Sequence, residues 1–314
     1  MTPGKTYLST EEIRPLAARS DLMGAWLVLH CWGTIAAAVA LFGLWPNVLT
    51  FALAVVVIGS RQLGLAILMH EAAHNALFRN RKINDFVGEW LCGRPILAEL
   101  GAYRHYHLTH HRFTQTDKDP DLVLSSKFPT SRASLKRKFI RDLTGQTGAK
   151  QLAAQIMMSV RLAGDDEAIK AAASDFAQAF KARDLFKSLP VFIGLIVAMG
   201  LAGEWWWGLC FWLLPYLTWF QFVLRVRNIA EHGATEVSEN PLQNVRTTLA
   251  GPVARLLVAP YWVNYHLEHH MVMHVPCWRL KAMHGLLVQK GLSEQMRVAP
   301  SYWHALGEAG WHSA

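Results

Sequence analysis

Eight of the fifteen histidines lie in three short clusters whose spacing suits metal binding. Imidazole is a common ligand of iron, zinc, copper and nickel. A tetrahedral zinc ion takes four ligands, so these imidazoles are too many for one such ion. The pattern therefore predicts two metal ions held side by side. The clusters are HEAAH with His70 and His74, HLTHH with His107, His110 and His111, and HLEHH with His266, His269 and His270.

The spacing within each cluster fits an α-helix. His70 and His74 are four residues apart and share one helix face, so both imidazoles can reach one ion. The HxxHH clusters place three imidazoles within roughly 100° of a helix face. His232, in the segment NIAEHG, is a ninth candidate because it follows the fourth predicted membrane helix.

HEAAH also matches HExxH, the zinc peptidase signature in which Glu71 would activate water. Such a site needs two histidines on the helix and one further ligand, and it leaves both HxxHH clusters without a role. We therefore expect Glu71 and Glu268 not to bind metal, and we retain a membrane zinc peptidase only as a remote alternative.

Three aspartates follow HLTHH in the run DKDPD, at positions 117, 119 and 121. One interpretation is a turn around Pro120, since aspartate side chains often bond to turn backbone. The other is that Asp119 and Asp121 accept hydrogen bonds from metal-binding imidazoles and orient them. Both interpretations remain open from sequence.

The histidine clusters adjoin segments apolar enough to cross a membrane. Hydrophobic residues make up 52% of the chain and charged residues 17%, and neither lysine nor arginine occurs between Ser20 and Ser60 or between Ser188 and Leu224. One crossing takes roughly 20 residues, so each gap can hold two. The predicted spans are about 22–44, 48–69, 189–202 and 205–224.

The distribution of basic residues predicts the orientation of these spans. The turns within both apolar blocks lack lysine and arginine, and cytoplasmic loops are typically rich in both. We expect an all-α integral membrane protein with two transmembrane hairpins and both termini in the cytoplasm, in the cell inner membrane. One domain, 1–314, would include a cytoplasmic helical cap, about 70–188 and 225–314, that carries the metal site. The net charge of +8 favours contact with anionic lipid rather than nucleic acid.

These motifs on a four-span scaffold resemble the membrane fatty acid desaturase superfamily. The resemblance covers most of the chain and implies that the eight clustered histidines bind two iron ions. It further implies that His232 is a ligand, that Asp119-Pro120 is a recurrent feature, and that Asn264 contacts metal through water. HEAAH differs from the longer HxxxxH of acyl-CoA desaturases. HPGG, the haem signature of a fused cytochrome b5, does not occur, so a separate ferredoxin or cytochrome would supply electrons.

The resemblance implies an O2-dependent oxidoreductase that introduces a double bond into the acyl chain of a membrane lipid or fatty acid. A hydroxylase or ketolase of a lipid or carotenoid would use the same di-iron site and is the nearest alternative. The histidine clusters do not separate these outcomes, because both reactions start from the same oxidant.

Overall fold

Helices dominate the computed structural model, which describes residues 6–163, 182–238 and 240–311. Parts of the predicted cap, 164–181, 239 and 312–314, and the first five residues lie outside these ranges. The first half of the chain contains α1 (Thr10–Leu16), α2 (Asp21–Leu44), α3 (Val48–Ala73), α4 (Arg81–Val87), α5 (Leu100–Phe113), α6 (Leu122–Ser125), α7 (Arg132–Leu143) and α8 (Gln146–Ala163). A π-helical turn (Gly88–Gly93) and a 3-10 turn (Arg94–Ile96) connect α4 to α5.

The second half continues with shorter helices after one long one. Its elements are α9 (Ala182–Ala202), α10 (Leu214–Leu217), α11 (Trp219–His232), β1 (Thr247–Thr248), α12 (Pro252–Leu257), α13 (His266–Met271), α14 (Cys277–Gln289), β2 (Val298–Ala299) and α15 (Tyr302–Leu306). π-helical turns occupy Leu209–Leu213 and Gly307–Trp311, and a 3-10 turn occupies Pro260–Trp262.

Within the described ranges, four helical segments are long and apolar enough to cross a membrane: Asp21–Leu44, Val48–Ala73, Leu185–Ala202 and Leu209–His232. The sequence predicts that the fourth span ends at about position 224, whereas the helix continues through two arginines to His232. Arg225 pairs with Asp142, and Arg227 pairs with Glu231 through an Nε–Oε1 distance of 2.6 Å. These ion pairs compensate the charges of the two arginines, which mark the end of the apolar run in the sequence.

The second span also extends beyond its predicted end at position 69, so that α3 includes His70. Asn47 caps the start of α3 by accepting hydrogen bonds from the backbone N–H groups of Leu49 and Thr50. The chain turns at Trp45–Asn47 between α2 and α3, as the sequence predicts.

The all-α prediction was incomplete, because β1 and β2 pair as a small parallel sheet. Thr247 is opposite Val298, and Thr248 is opposite Ala299. Strands of two residues are too short to show the alternation of polar and apolar residues that identifies a strand in sequence. The sheet joins two distant segments beside α13, which carries the third histidine cluster.

α3 lies at the centre of the molecule and packs against α2, α5, α11 and α12. Its second half is buried on all sides, from Ile58 to Ala73 with the exception of partly exposed Ala66. The first histidine cluster therefore emerges from the most enclosed helix, against which the elements carrying the other clusters can pack.

Candidate metal centre

The last turn of α3 positions the first histidine cluster. His70 and His74 lie one helical turn apart, with ring centroids separated by 4.9 Å, and both are buried. Arg104 of α5 donates from Nε to the carbonyl of Ala73 and from Nη2 to that of Ala72, both at 2.9 Å. Carbonyls at a helix end lack intrahelical partners, so Arg104 stabilises this end and ties it to α5.

The second cluster lies on α5, which confirms the helical spacing predicted for HLTHH. Glu99 caps the helix by accepting hydrogen bonds from the N–H groups of Gly101 and Ala102. His107 and His110 are buried, and the ring of His107 lies 4.4 Å from that of His70. The first two clusters therefore face each other across α3 and α5.

The third cluster lies on α13, and the ninth candidate, His232, is the last residue of α11. His266 Nε2 lies 2.8 Å from His232 Nε2, and His269 Nε2 lies 3.0 Å from His111 Nε2. The fold thus brings all nine candidate histidines together from four helices, although their positions range from 70 to 270 in the sequence.

The nine imidazoles form two adjoining groups. The first histidine group comprises His70, His74, His107, His111 and His269, and its ligand atoms all lie within 4.8 Å of one another. The second histidine group comprises His110, His232, His266 and His270. Within the second group, His232 has ligand atoms within 4.8 Å of those of His110 and His270 and also of His266, and His266 Nε2 lies 3.0 Å from His270 Nε2.

The nitrogen–nitrogen distances fit ligands arranged around a cation. His111 Nε2 lies 2.9 Å from His107 Nε2 and 3.0 Å from His269 Nε2, and His266 Nε2 has two similar contacts. An imidazole nitrogen carries one hydrogen or one lone pair, so two strong hydrogen bonds at one nitrogen are not available. Nitrogen atoms this close fit ligands that converge on one ion, since metal–nitrogen bonds near 2.05 Å put neighbouring ligands about 3 Å apart.

Buried ring nitrogens without hydrogen-bond partners support the same conclusion. Buried polar groups are almost always hydrogen-bonded, so a concentration of exceptions indicates a missing partner. Among the described residues, both ring nitrogens of His70 and His74 and Nε2 of His110 are in this state, so each of these rings has a nitrogen available to a cation. Nδ1 of His111, His232, His266 and His269 also has no partner, but in these rings the nitrogen that contacts a neighbouring imidazole is Nε2. The donor set fits transition-metal ions.

Most of these imidazoles are held in the neutral form that binds metal. For five of the nine imidazoles, burial, reinforced by neighbouring histidines, lowers the pKa well below its usual value. A neutral imidazole keeps a free lone pair for a cation. The five are His107, His111, His266, His269 and His270.

His110 differs because carboxylates face it. Its Nδ1 lies 2.7 Å from Asp119 Oδ1 and 3.6 Å from Asp121 Oδ2. Burial opposes protonation, but the charge of Asp121 and the hydrogen bond to Asp119 raise the pKa of His110. Asp119 also accepts hydrogen bonds from the N–H groups of Gln115 and Asp121. One carboxylate therefore bonds to the backbone of the turn and to the imidazole. The turn interpretation of the DKDPD run is confirmed, and the orientation of a metal-binding imidazole by Asp119 and Asp121 stays a prediction.

Replacing Asp119 with asparagine is expected to weaken metal binding about 10- to 100-fold, as for other carboxylates that orient metal-binding imidazoles. The amide cannot supply the charge that holds His110 with Nε2 directed away from the carboxylate. Titration of metal into the stripped protein measures the effect. Asp117→Asn, at an exposed position in the same turn, is the matched control and should bind as the wild type. Equal affinities for the two variants would contradict this role.

Asn264 is buried, and its Nδ2 donates a hydrogen bond to the backbone carbonyl of Thr248 at 3.0 Å. Its Oδ1 has no hydrogen-bond partner in the part of the chain that the structure describes. The proposed contact of Asn264 with metal through water stays a prediction.

The two glutamates within the histidine clusters are buried and engaged in hydrogen bonds. Glu71 Oε2 accepts from the N–H of Cys277 at 2.8 Å, at the first residue of α14. Glu268 accepts from the Thr247 hydroxyl at 2.5 Å, and its other oxygen lies 2.6 Å from His284 Nδ1. Glu71 therefore anchors the start of α14, which satisfies an orphan N–H and favours a structural role over water activation.

Glu71→Gln gives a sharp test of this role. Glutamine retains an oxygen that can accept from Cys277, so we expect a stability loss of about 1 kcal/mol or less and retained metal. A zinc peptidase would instead lose nearly all activity, because its general base would be gone. Thermal unfolding and metal content of the purified variant measure the first expectation, and cleavage of casein by wild type and variant measures the second.

Sequence reasoning missed two residues at the centre. Glu231 lies with His232 and His266 in a third set of mutually close ligand atoms, and Tyr106 donates a hydrogen bond to Asp121. The signal for Glu231 was available, since it directly precedes His232 and follows Arg227 by four residues. Tyr106 had no comparable signal, because a tyrosine beside a histidine cluster is also an ordinary core residue.

Comparison with known proteins places this centre in context. A family model described as fatty acid desaturase matches residues 43–301, most of the chain. Dihydrorhizobitoxine desaturase of Bradyrhizobium elkanii is 26% identical over 88% of this chain and 78% of its own length. The sn-1 oleoyl-lipid 12-desaturase of a Synechocystis strain is 25% identical over 73% and 66%. A beta-carotene ketolase of a Paracoccus strain is 24% identical over 89% and 96%.

Proposed function

Because the chain belongs to the fatty acid desaturase family and is an oxidoreductase, we propose that it uses O2 and two iron ions to introduce a double bond into the acyl chain of a membrane lipid or fatty acid. The observation that carries this proposal is the pair of adjoining histidine groups, most of whose members are buried. The reaction would remove two hydrogens from adjacent carbons and reduce O2 to water with two further electrons from a donor.

We assign one iron to each histidine group. Bound iron with nitrogen ligands would supply the capacity to bind and reduce O2, which the side chains themselves lack. The first histidine group offers five imidazoles, one more than a tetrahedral zinc ion takes, and this number supports iron over tetrahedral zinc. Asp119 would hold His110 in the orientation that directs Nε2 to the metal.

The scaffold fits an apolar substrate. Two of the apolar helices, Val48–Ala73 and Leu209–His232, carry candidate ligands at their ends, so an acyl chain could reach the centre from the bilayer without crossing water. We propose that the spans form two hairpins in the cell inner membrane, with both termini and the histidine-bearing cap on the cytoplasmic side of a single domain, 1–314. The bias of lysine and arginine toward the cap supports this orientation.

Electrons would come from a separate ferredoxin or cytochrome. The cap would then serve as its docking side, because the histidine groups lie at the ends of α3 and α11 that adjoin it. The positions of acyl carbons relative to the two irons would determine which bond reacts.

Lipid mass spectrometry tests the reaction directly. Cells that express the chain are compared with cells that express an inactive histidine variant, and acyl species that lose 2 Da identify desaturation. The proposal predicts such species only with the wild-type chain and O2. An unchanged profile across lipid classes, from protein that retains its metal and is supplied with a reductant, would contradict it.

A second candidate is oxygen insertion, as a hydroxylase or ketolase of a lipid or carotenoid. The similarity to a beta-carotene ketolase over most of both chains favours this alternative. The same experiment separates the reactions, because hydroxylation adds 16 Da and conversion of CH2 to a ketone adds 14 Da. Supplying cells with beta-carotene extends the test to a carotenoid substrate.

A further inference from the structure

We propose that Glu231 is a ligand of the second histidine group, so that one ion has imidazole ligands alone and the other also has a carboxylate oxygen. This inference rests on the proposed di-iron function. Glu231 is 3% exposed and directly precedes His232 at the end of α11. Its Oε2 lies 3.6 Å from His266 Nε2, a distance suited to two ligands of one ion.

The two carboxylate oxygens of Glu231 have different neighbours, Arg227 for Oε1 and His266 for Oε2. Arg227, one turn earlier on α11, donates from Nε to Oε1 at 2.6 Å. The other oxygen, Oε2, faces the histidines, and the ligand atoms of Glu231, His232 and His266 all lie within 4.8 Å of one another. An arginine that served only as an ion-pair partner would favour a bidentate contact with both oxygens. The one-sided contact leaves Oε2 for a cation.

The number of donors supports the same role. The first histidine group offers five imidazoles and the second offers four. Glu231 brings the second site to five donors, matching the first. Carboxylate oxygen is also a normal ligand of iron beside imidazole.

Charge supplies an independent argument. Two divalent cations among neutral imidazoles would concentrate positive charge in a buried site, and Arg227 adds another positive charge close by. Uncompensated buried charge is costly, and a carboxylate between the guanidinium and the ion offsets both. The Arg227–Glu231 pair is therefore arranged as the outer part of a metal site.

A consequence is that the two ions are chemically unequal. A carboxylate donates negative charge and stabilises the more positive state of its ion relative to an all-imidazole site. Asp119, which faces His110, increases the negative charge on the same side. Spectroscopy that reads each iron separately should distinguish them.

Mössbauer spectroscopy of protein loaded with iron-57 tests the assignment. We expect two iron populations of equal area in the wild type, with different isomer shift or quadrupole splitting. In Glu231→Gln one population should change or disappear, and in the latter case iron would fall from about two ions per chain to about one. A single population in the wild type, or a Glu231→Gln spectrum and iron content identical to wild type, would overturn the assignment.

Two further variants separate a ligand from a structural carboxylate. Arg227→Gln breaks the same ion pair but keeps the carboxylate, so both iron populations should remain while the melting temperature falls. If Arg227→Gln instead reproduced the spectrum of Glu231→Gln, the ion pair alone would explain the effect and Glu231 would not be a ligand. Glu236→Gln, at an exposed position nearby, is the control for handling and should match the wild type.

The wild-type spectrum can by itself overturn the assignment, so the test does not depend on whether any variant folds. Lipid products are measured on the same preparations. Two unequal iron populations with unchanged lipids would contradict the proposed acyl-lipid reaction and leave Glu231 as a ligand. Altered lipids with two identical iron populations would support the reaction and overturn this assignment.

Discussion

His269→Ala is expected to lower product formation by at least about 100-fold and to remove metal from the first histidine group. His269 is the residue by which α13 completes the group built by α3 and α5. Its ring lies 4.4 Å from that of His70 and 4.7 Å from those of His74 and His111. The alanine variant keeps the other four imidazoles of the first histidine group but lacks the one that α13 supplies. Lipid product per chain and metal content of the purified variant measure the effect.

His105→Ala is the matched control for this experiment. His105 lies on α5, is exposed, and belongs to neither histidine group. The control variant should retain the metal content and product yield of the wild type. If His269→Ala behaved as this control does, a catalytic centre at the first histidine group would be excluded.

Gly88→Ala is expected to disrupt the same centre without touching a histidine. A Cβ at position 88 would lie 2.3 Å from Cβ of Ala72 and 3.2 Å from a methyl of Leu100. Ala72 lies between His70 and His74, so relief of this clash must shift either the Gly88 turn or the end of α3 that carries the first histidine cluster. Overpacking of this kind costs about 1–3 kcal/mol. We expect a lower melting temperature together with lower metal content.

Gly285→Ala provides the matched control because position 285 lies within α14 with nothing within 4 Å of an added Cβ. Alanine there should leave metal content unchanged and add up to about 1 kcal/mol through its greater helix propensity. Thermal unfolding in detergent and metal analysis compare the two variants. Wild-type values for Gly88→Ala would show that close contact between α3 and the Gly88 turn does not hold the histidines in place.

Much of the site was predictable because its ligands come in local patterns. The pairs and triplets at four- and three-residue spacing on helices need no knowledge of the tertiary fold, and α3 and α5 confirm the helical spacing of His70 with His74 and of His107 with His110 and His111. Long runs without lysine or arginine likewise marked the apolar helices. These signals depend on residues within a few turns of one another.

The parts that escaped prediction depend on contacts between distant residues. The fourth apolar helix continues past position 224 because Asp142, 83 residues earlier in the chain, compensates Arg225. Glu71 holds the N–H of Cys277, 206 residues away, and no local pattern marks that contact. Glu231 directly precedes His232 in sequence, but its position 3.6 Å from His266 depends on the fold that brings the end of α11 to α13.

Metal analysis of the purified wild-type protein tests the central claim most directly. Inductively coupled plasma mass spectrometry, normalised to chain concentration, gives the identity and number of ions in one measurement. The two histidine groups predict about two iron ions per chain and no stoichiometric zinc. One zinc per chain without iron would contradict the di-iron centre and restore the peptidase interpretation of HEAAH.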